Sequence, residues 1–298
     1  MPAQEGNYTR SAGAKASLVL EQLAERRRRS IQLSEDRPWL QTISPDPNSL
    51  LERMADAGLL YRIHRGRYLV APRGSFSPTQ AAPAEFMAGL LLEAQGGYYI
   101  GYLSALIGHR LTDLHSKTVY AAIRQTSTFT DVEVGLPGGL LRVVRLSESR
   151  WPQDEQAELE RLRAMPDSKE FVWQSTLERT LVDALARPDL SAGIETVVGC
   201  WASARERDVD WERVCSIAAR YGKSMVRRVA FILRVLGLQR TARQNFPDLT
   251  GRGASTPLDR TGSFGLDLAE LKRDRDTGVV INVPEDYLLG WIGAAALP

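Results

Sequence analysis

The chemistry this chain offers most openly is ionic. No carboxylate occurs between Asp56 and Glu85, and Arg62, His64, Arg65, Arg67 and Arg73 all fall in that gap. A single-sign stretch suits a polyphosphate partner, because each phosphate neutralised by a cation releases condensed counterions. Just upstream stand Asn48, Ser49 and Arg53. Asn and Arg have the donor and acceptor geometry to read adenine and guanine edges. A hairpin that carries arginines only for solubility would have the same composition, so the flanking elements must decide.

Other reactive groups point to less. His109 and His115 are six residues apart with no cysteine or acid at ligand spacing, which argues against a zinc site. Gly222-Lys223-Ser224 imitates the end of a phosphate-binding loop, but Ile217 stands where the first glycine is required. There is no G-x-S-x-G nucleophile elbow. Asp248 followed by Glu270-Leu271-Lys272 has the order of a metal-dependent nuclease, which needs two carboxylates and a lysine around one metal and one scissile phosphate. Leu266, Leu268, Ala269 and Leu271 among charges fit an amphipathic helix better than a catalytic strand. The expectation is no enzymatic activity, no metal and no cofactor.

The basic gap sits on a recognisable order of elements. Asp46 can cap a helix with Pro47 at its first position, Leu50, Leu51 and Met54 repeat at helical spacing, and Gly58 stops it. Asn48, Ser49, Glu52, Arg53 and Asp56 fall on the polar side. From Leu59 the period becomes two, Arg65-Gly66 turns the chain, and Tyr68, Leu69 and Val70 return. Upstream, a helix over 13–29 with Ala16, Leu20, Leu23 and Ala24 inward ends in Arg26 to Arg29. A strand at Ser30 to Leu33 follows, then a helix capped by Ser34 with Trp39, Leu40 and Ile43 inward. Helix, strand, helix, turn, helix, hairpin is a winged helix-turn-helix, with Asn48, Ser49, Arg53, Arg62, His64, Arg65 and Arg67 as the DNA-facing set.

Pro and Gly over 71–83 mark a boundary, giving a DNA-binding domain over 1–75 and a larger domain over 84–298. The second reads as α+β: a small antiparallel sheet from strands at 118–124, 129–134 and 140–146, then a helical half from a capping box at Ser175 and Glu178 onward. Helices are expected over 191–204, 211–221, 224–236 and 266–275, with a strand at 279–283 and a closing segment at 287–292. A second acid-free gap runs from Glu212 to Asp248. Arg220, Lys223, Arg227 and Arg228 within it could make a second basic surface, or simply a solvated helix face.

With 298 residues and a formal charge of +2, the chain is long enough for two cores, and any nucleic-acid face must be a local patch. Two cysteines in no C-x-x-C pattern suggest a reducing compartment. Without a basic, apolar leader or a run of about 18 apolar residues, the expectation is a cytoplasmic protein with no membrane span.

The run Leu50 to Tyr68 resembles the N-terminal domain of the AbiEi antitoxins of abortive-infection toxin–antitoxin systems. Glu178 to Leu185, Pro188 to Glu195, Trp211 and Arg227 to Leu233 resemble the C-terminal domain of the same family. The resemblance implies a cytosolic autorepressor that binds inverted repeats in its own promoter. It also implies that the second domain opposes a partner toxin with a nucleotidyltransferase fold. A ligand-responsive regulator without a toxin, or a winged helix fused to a nuclease, are the alternatives.

Overall fold

The structure, a computed structural model, describes residues 7–72, 77–93, 97–127, 132–163, 165, 168–262 and 271–284, with side chains from Gly13 onward. The N-terminal elements are α1 (Asn7–Glu25), β1 (Ser30–Gln32), α2 (Leu33–Ile43), α3 (Pro47–Asp56), β2 (Leu60–His64) and β3 (Arg67–Val70). Strand order β1-β3-β2 is antiparallel throughout. Ala16, Val19 and Leu23 of α1 pack with Leu40 of α2, with Leu50, Leu51 and Met54 of α3, and with Leu60 and Tyr68. Val19 takes the inner place expected of Ala24, which is exposed. The helix starts earlier than expected, with a non-helical break at Gly13. Ser34 does not cap α2: the cap position is Gln32, whose side chain makes no capping bond to the helix.

The rest of the chain is α+β. It continues with α4 (Pro78–Ala81), α5 (Ala84–Leu92), β4 (Tyr98–Ile100), α6 (Tyr102–Gly108), β5 (Thr118–Arg124), β6 (Glu133–Leu136), β7 (Gly139–Leu146), α7 (Glu155–Glu158), β8 (Leu159–Arg163) and β9 (Phe171–Ser175). The helical half holds α8 (Leu177–Ala186), α9 (Ile194–Arg205), α10 (Trp211–Arg220), α11 (Lys223–Val235) and α12 (Gln239–Asn245), followed by β10 (Thr256–Pro257) and β11 (Val279–Val280). The sheet is larger than expected and mixed: six strands in the order β6-β7-β5-β4-β9-β8. β5 pairs with β7, and β4 with β9, in parallel. Alternation sends Tyr98, Ile100, Ala121 and Ile123 to the face under α5, and Tyr99 and Ala122 to the face shared with Trp151.

Several C-terminal expectations shift. Ser175 ends β9 rather than capping a helix, and its hydroxyl meets that of Thr180 at 2.7 Å. Leu271 to Arg275 are not helical; Arg273 bridges to Val280. The remainder of the expected 266–275 helix, Phe129 to Asp131 and the segment 287–292 lie outside the described residues.

A buried ionic knot ties the second domain together. Arg179 of α8, fully buried, donates to Asp183 at 3.1 Å, to Glu158 at 2.7 Å and to the Tyr99 and Tyr221 hydroxyls at 3.1 and 3.0 Å. Arg220 of α10 also donates to Glu158. Burial works to raise the Glu158 pKa, but the Arg220 and Arg179 hydrogen bonds outweigh it and hold the carboxyl below its ordinary value.

An apolar seam joins the winged helix to the larger domain. Leu69, with Tyr61 and Ile63 from the back of the hairpin, packs on Ala81, Ala82, Phe86, Leu90 and Val172. Beside it, the Glu170 carboxylate accepts from the Arg29 N–H at 2.6 Å and from the Ser30 hydroxyl, and the Lys169 N–H donates to the Arg27 carbonyl at 2.9 Å.

Candidate nucleic-acid interface

Helix α3 is set up as the sequence suggests. The Asp46 carboxylate accepts from the Ser49 N–H at 3.2 Å, and Pro47 holds the first position. Leu50, Leu51 and Met54 bury one side, which leaves Asn48, Glu52 and Arg53 exposed. In the hairpin, Leu60 faces the winged-helix core, and Arg62 and His64 are exposed, with a shift of register between them. Tyr61 and Ile63 take the opposite side, against the seam. Gly66 has φ 71°, the left-handed region that a side chain disfavours. Its carbonyl accepts from the Leu33 N–H at 2.8 Å, so the wing tip is pinned to the start of α2.

Between α2, α3 and the wing lies a concavity of about 480 Å³. It is lined by Arg37, Asn48, Glu52, Arg62, Arg65 and Arg67 among others. Four arginines face one carboxylate, so the groove is cationic even with Glu52 in it. Of the expected residues, Asn48, Arg62, Arg65 and Arg67 converge here. Ser49, Arg53 and His64 lie outside the lining. Arg53 folds back along its own helix, with its Nε donating to the Ser49 carbonyl at 3.2 Å.

Arg67, expected on the exposed wing, is instead 9% exposed at the base of the groove. It donates to the Gln32 side-chain oxygen, and Gln32 in turn donates to Glu93. Desolvation pushes its guanidinium below the ordinary arginine range, against the pull of Glu35 and Glu93. Arg67 therefore shapes the groove floor. Arg37 was missed by sequence reasoning; the available signal was a cation at an exposed position of α2.

The four arginines at the end of α1 divide their work. Arg28 makes paired bonds to Asp36 at 2.7 and 2.9 Å, and Arg26 lies over the Trp39 ring at 4.8 Å. The second basic stretch does not form one open surface. Arg220 is bound to Glu158, Arg227 donates to the Thr250 and Thr277 carbonyls at 2.7 Å each, and Arg228 is 4% exposed; only Lys223 of that set is exposed. The linear gap in acids hid this, because the partners come from distant positions in the chain. His109 meets the Ser175 carbonyl at 2.8 Å, and His115 sits in an exposed turn.

Comparison with known proteins gives the fold. No protein-family model and no curated protein matches the sequence. The crystal structure of the RV2827C protein from Mycobacterium tuberculosis is similar, with a TM-score of 0.64 at 17% identity, over 94% of this chain and 95% of that one. Among the described residues, no helix is long and apolar enough to cross a membrane.

Proposed function

We propose that this protein is a DNA-binding autorepressor whose winged helix docks on double-stranded DNA, and that its larger domain serves as an antitoxin. The observation that carries the DNA reading is the arginine-lined groove between α2, α3 and the wing. Its cations come from α2 and the wing, which the Gly66–Leu33 bond holds together beside the capped α3. Arg62 and Arg65 neutralise phosphates, Asn48 reads a base edge, and Glu52 accepts from a cytosine amino group instead of merely repelling the backbone. Arg37 joins the phosphate contacts from α2.

The antitoxin role and the nucleotidyltransferase-like toxin rest on the resemblance of the 178–195 and 227–233 stretches alone. Two measurements test the two halves. Fluorescence anisotropy of the full chain on a duplex from upstream of its own gene should show tighter binding than on an unrelated duplex. Co-expression with the product of the neighbouring gene should relieve growth arrest. Equal affinity for both duplexes would remove the repressor reading, and unrelieved arrest would remove the antitoxin reading.

A further inference from the structure

A second concavity, of about 270 Å³, lies in the larger domain. Five arginines line it, Arg145, Arg150, Arg187, Arg228 and Arg260, and no carboxylate does. Four of the five have partners described within the protein. Arg187 forms paired bonds with Asp189 at 2.9 and 2.7 Å, Arg145 reaches the Ser127 carbonyl at 3.2 Å, and Arg150 lies over the Tyr221 ring at 5.4 Å. Arg228 is different. It is 4% exposed, and the bond described for it runs from Nε to the Pro257 carbonyl at 3.0 Å. Among the described residues no carboxylate forms an ion pair with it. Burial, reinforced by the like charge of Arg260 and opposed by Asp259, pushes its guanidinium down to about 10. A cation buried beside a like charge and without an ion pair is costly to hold out of water, and an incoming anion offsets that cost.

The surroundings say which anion. Ser224 and Met225, in the first turn of α11, line the same pocket. That 13-residue helix starts at Gly222 with no side-chain cap, so its positive end faces the cavity. Planar guanidinium groups and a helix N-terminus both suit a phosphate, with its several acceptor oxygens. The volume falls just below the usual range of roughly 300–1,000 Å³ for small-molecule clefts, and a duplex cannot enter it.

We propose that this pocket binds a small phosphate monoester, gripped by Arg228 and Arg260 against the start of α11. The site is separate from the winged-helix groove and does not depend on the DNA reading.

Titration calorimetry of the full-length protein with inorganic phosphate, at ionic strength held constant with sodium chloride, tests it. Saturable binding at one site per chain is expected. Arg260→Ala, at an exposed position, should weaken it about tenfold, and Arg228→Gln should abolish it. Should Arg228→Gln not fold, Arg150→Ala takes its place, with a loss of similar size to that of Arg260→Ala. Arg65→Ala, in the other groove, should leave phosphate affinity unchanged. Absence of saturable heat, wild-type phosphate affinity in Arg260→Ala, or loss of phosphate binding in Arg65→Ala would overturn the proposal. So would a matching tenfold loss of duplex affinity in Arg260→Ala, which would make the pocket a DNA contact.

Discussion

At the residue scale, position decides what each cation can do. Arg62 and Arg65 are exposed, Arg67 supports the groove floor, and Arg53 lies along its own helix. Asn48 should therefore carry more sequence information than Arg53. Asn48→Ala is expected to cost about 1–3 kcal/mol at particular base pairs and little elsewhere, whereas Arg53→Ala should change base preference less. Binding of each variant to a panel of single-substituted duplexes checks this. A uniform loss in Asn48→Ala would show that it touches only the backbone. Arg179 makes a different prediction. Arg179→Met takes from the interior the cation that Glu158 and Asp183 share, leaving Glu158 with Arg220 and Asp183 with tyrosine hydroxyls, and should cost about 3–5 kcal/mol by denaturant unfolding. The same knot sets an acid limit. The folded Glu158 pKa is lower than the unfolded value of about 4.3. Its contribution is thus present above that pH and lost as pH falls through the lower folded value. Wild-type melting temperature should drop on acidification below about pH 4, and the drop should shrink in Glu158→Gln. An identical acid profile in the two proteins would contradict this assignment.

At the element scale, the winged helix was legible because its signals are local. Asp46-Pro47 and Gly58 bracket α3, and the alternation after Leu59 makes the hairpin. The six-stranded sheet was not legible, because β4 and β9 meet in parallel across more than seventy residues and parallel pairing leaves no turn in the sequence. β8 was hidden too: one buried residue followed by four exposed ones gives no alternation of period two. The candidate groove was read in part. Asn48, Arg62 and Arg65 were visible as polar positions, while Arg37 needed the fold of α2 against the wing. The burial of Arg67 depends on Gln32 and Glu93, which no periodicity connects to it. The wing turn offers the test at this scale. Gly66→Ala forces a side chain into the left-handed region and should cost about 1–2 kcal/mol, read as a lower denaturant midpoint. No change in midpoint would mean that the turn can flip without strain.

At the scale of the whole molecule, the hairpin has two jobs. One face carries Arg62 toward the groove, and the other buries Tyr61, Ile63 and Leu69 against the larger domain. A fragment of residues 1–72 would keep the core around Leu40, Leu51 and Met54 but expose that seam. It should melt at a lower temperature than the full chain and aggregate more readily, as circular dichroism and light scattering would show. A fragment as stable as the intact protein would mean the seam contributes nothing. On the proposed reading DNA meets a groove already formed by the fixed wing, so the electrostatic contribution should be readable as a clean salt dependence. The measurement that tests the central claim most directly is the slope of log affinity against log salt for the own-promoter duplex, wild type against Arg62→Ala/Arg65→Ala. Loss of two phosphate contacts should reduce the magnitude of that slope by about 2 and weaken binding across all sequences. Wild-type affinity and an unchanged slope in the double variant would contradict the assignment of this groove to DNA.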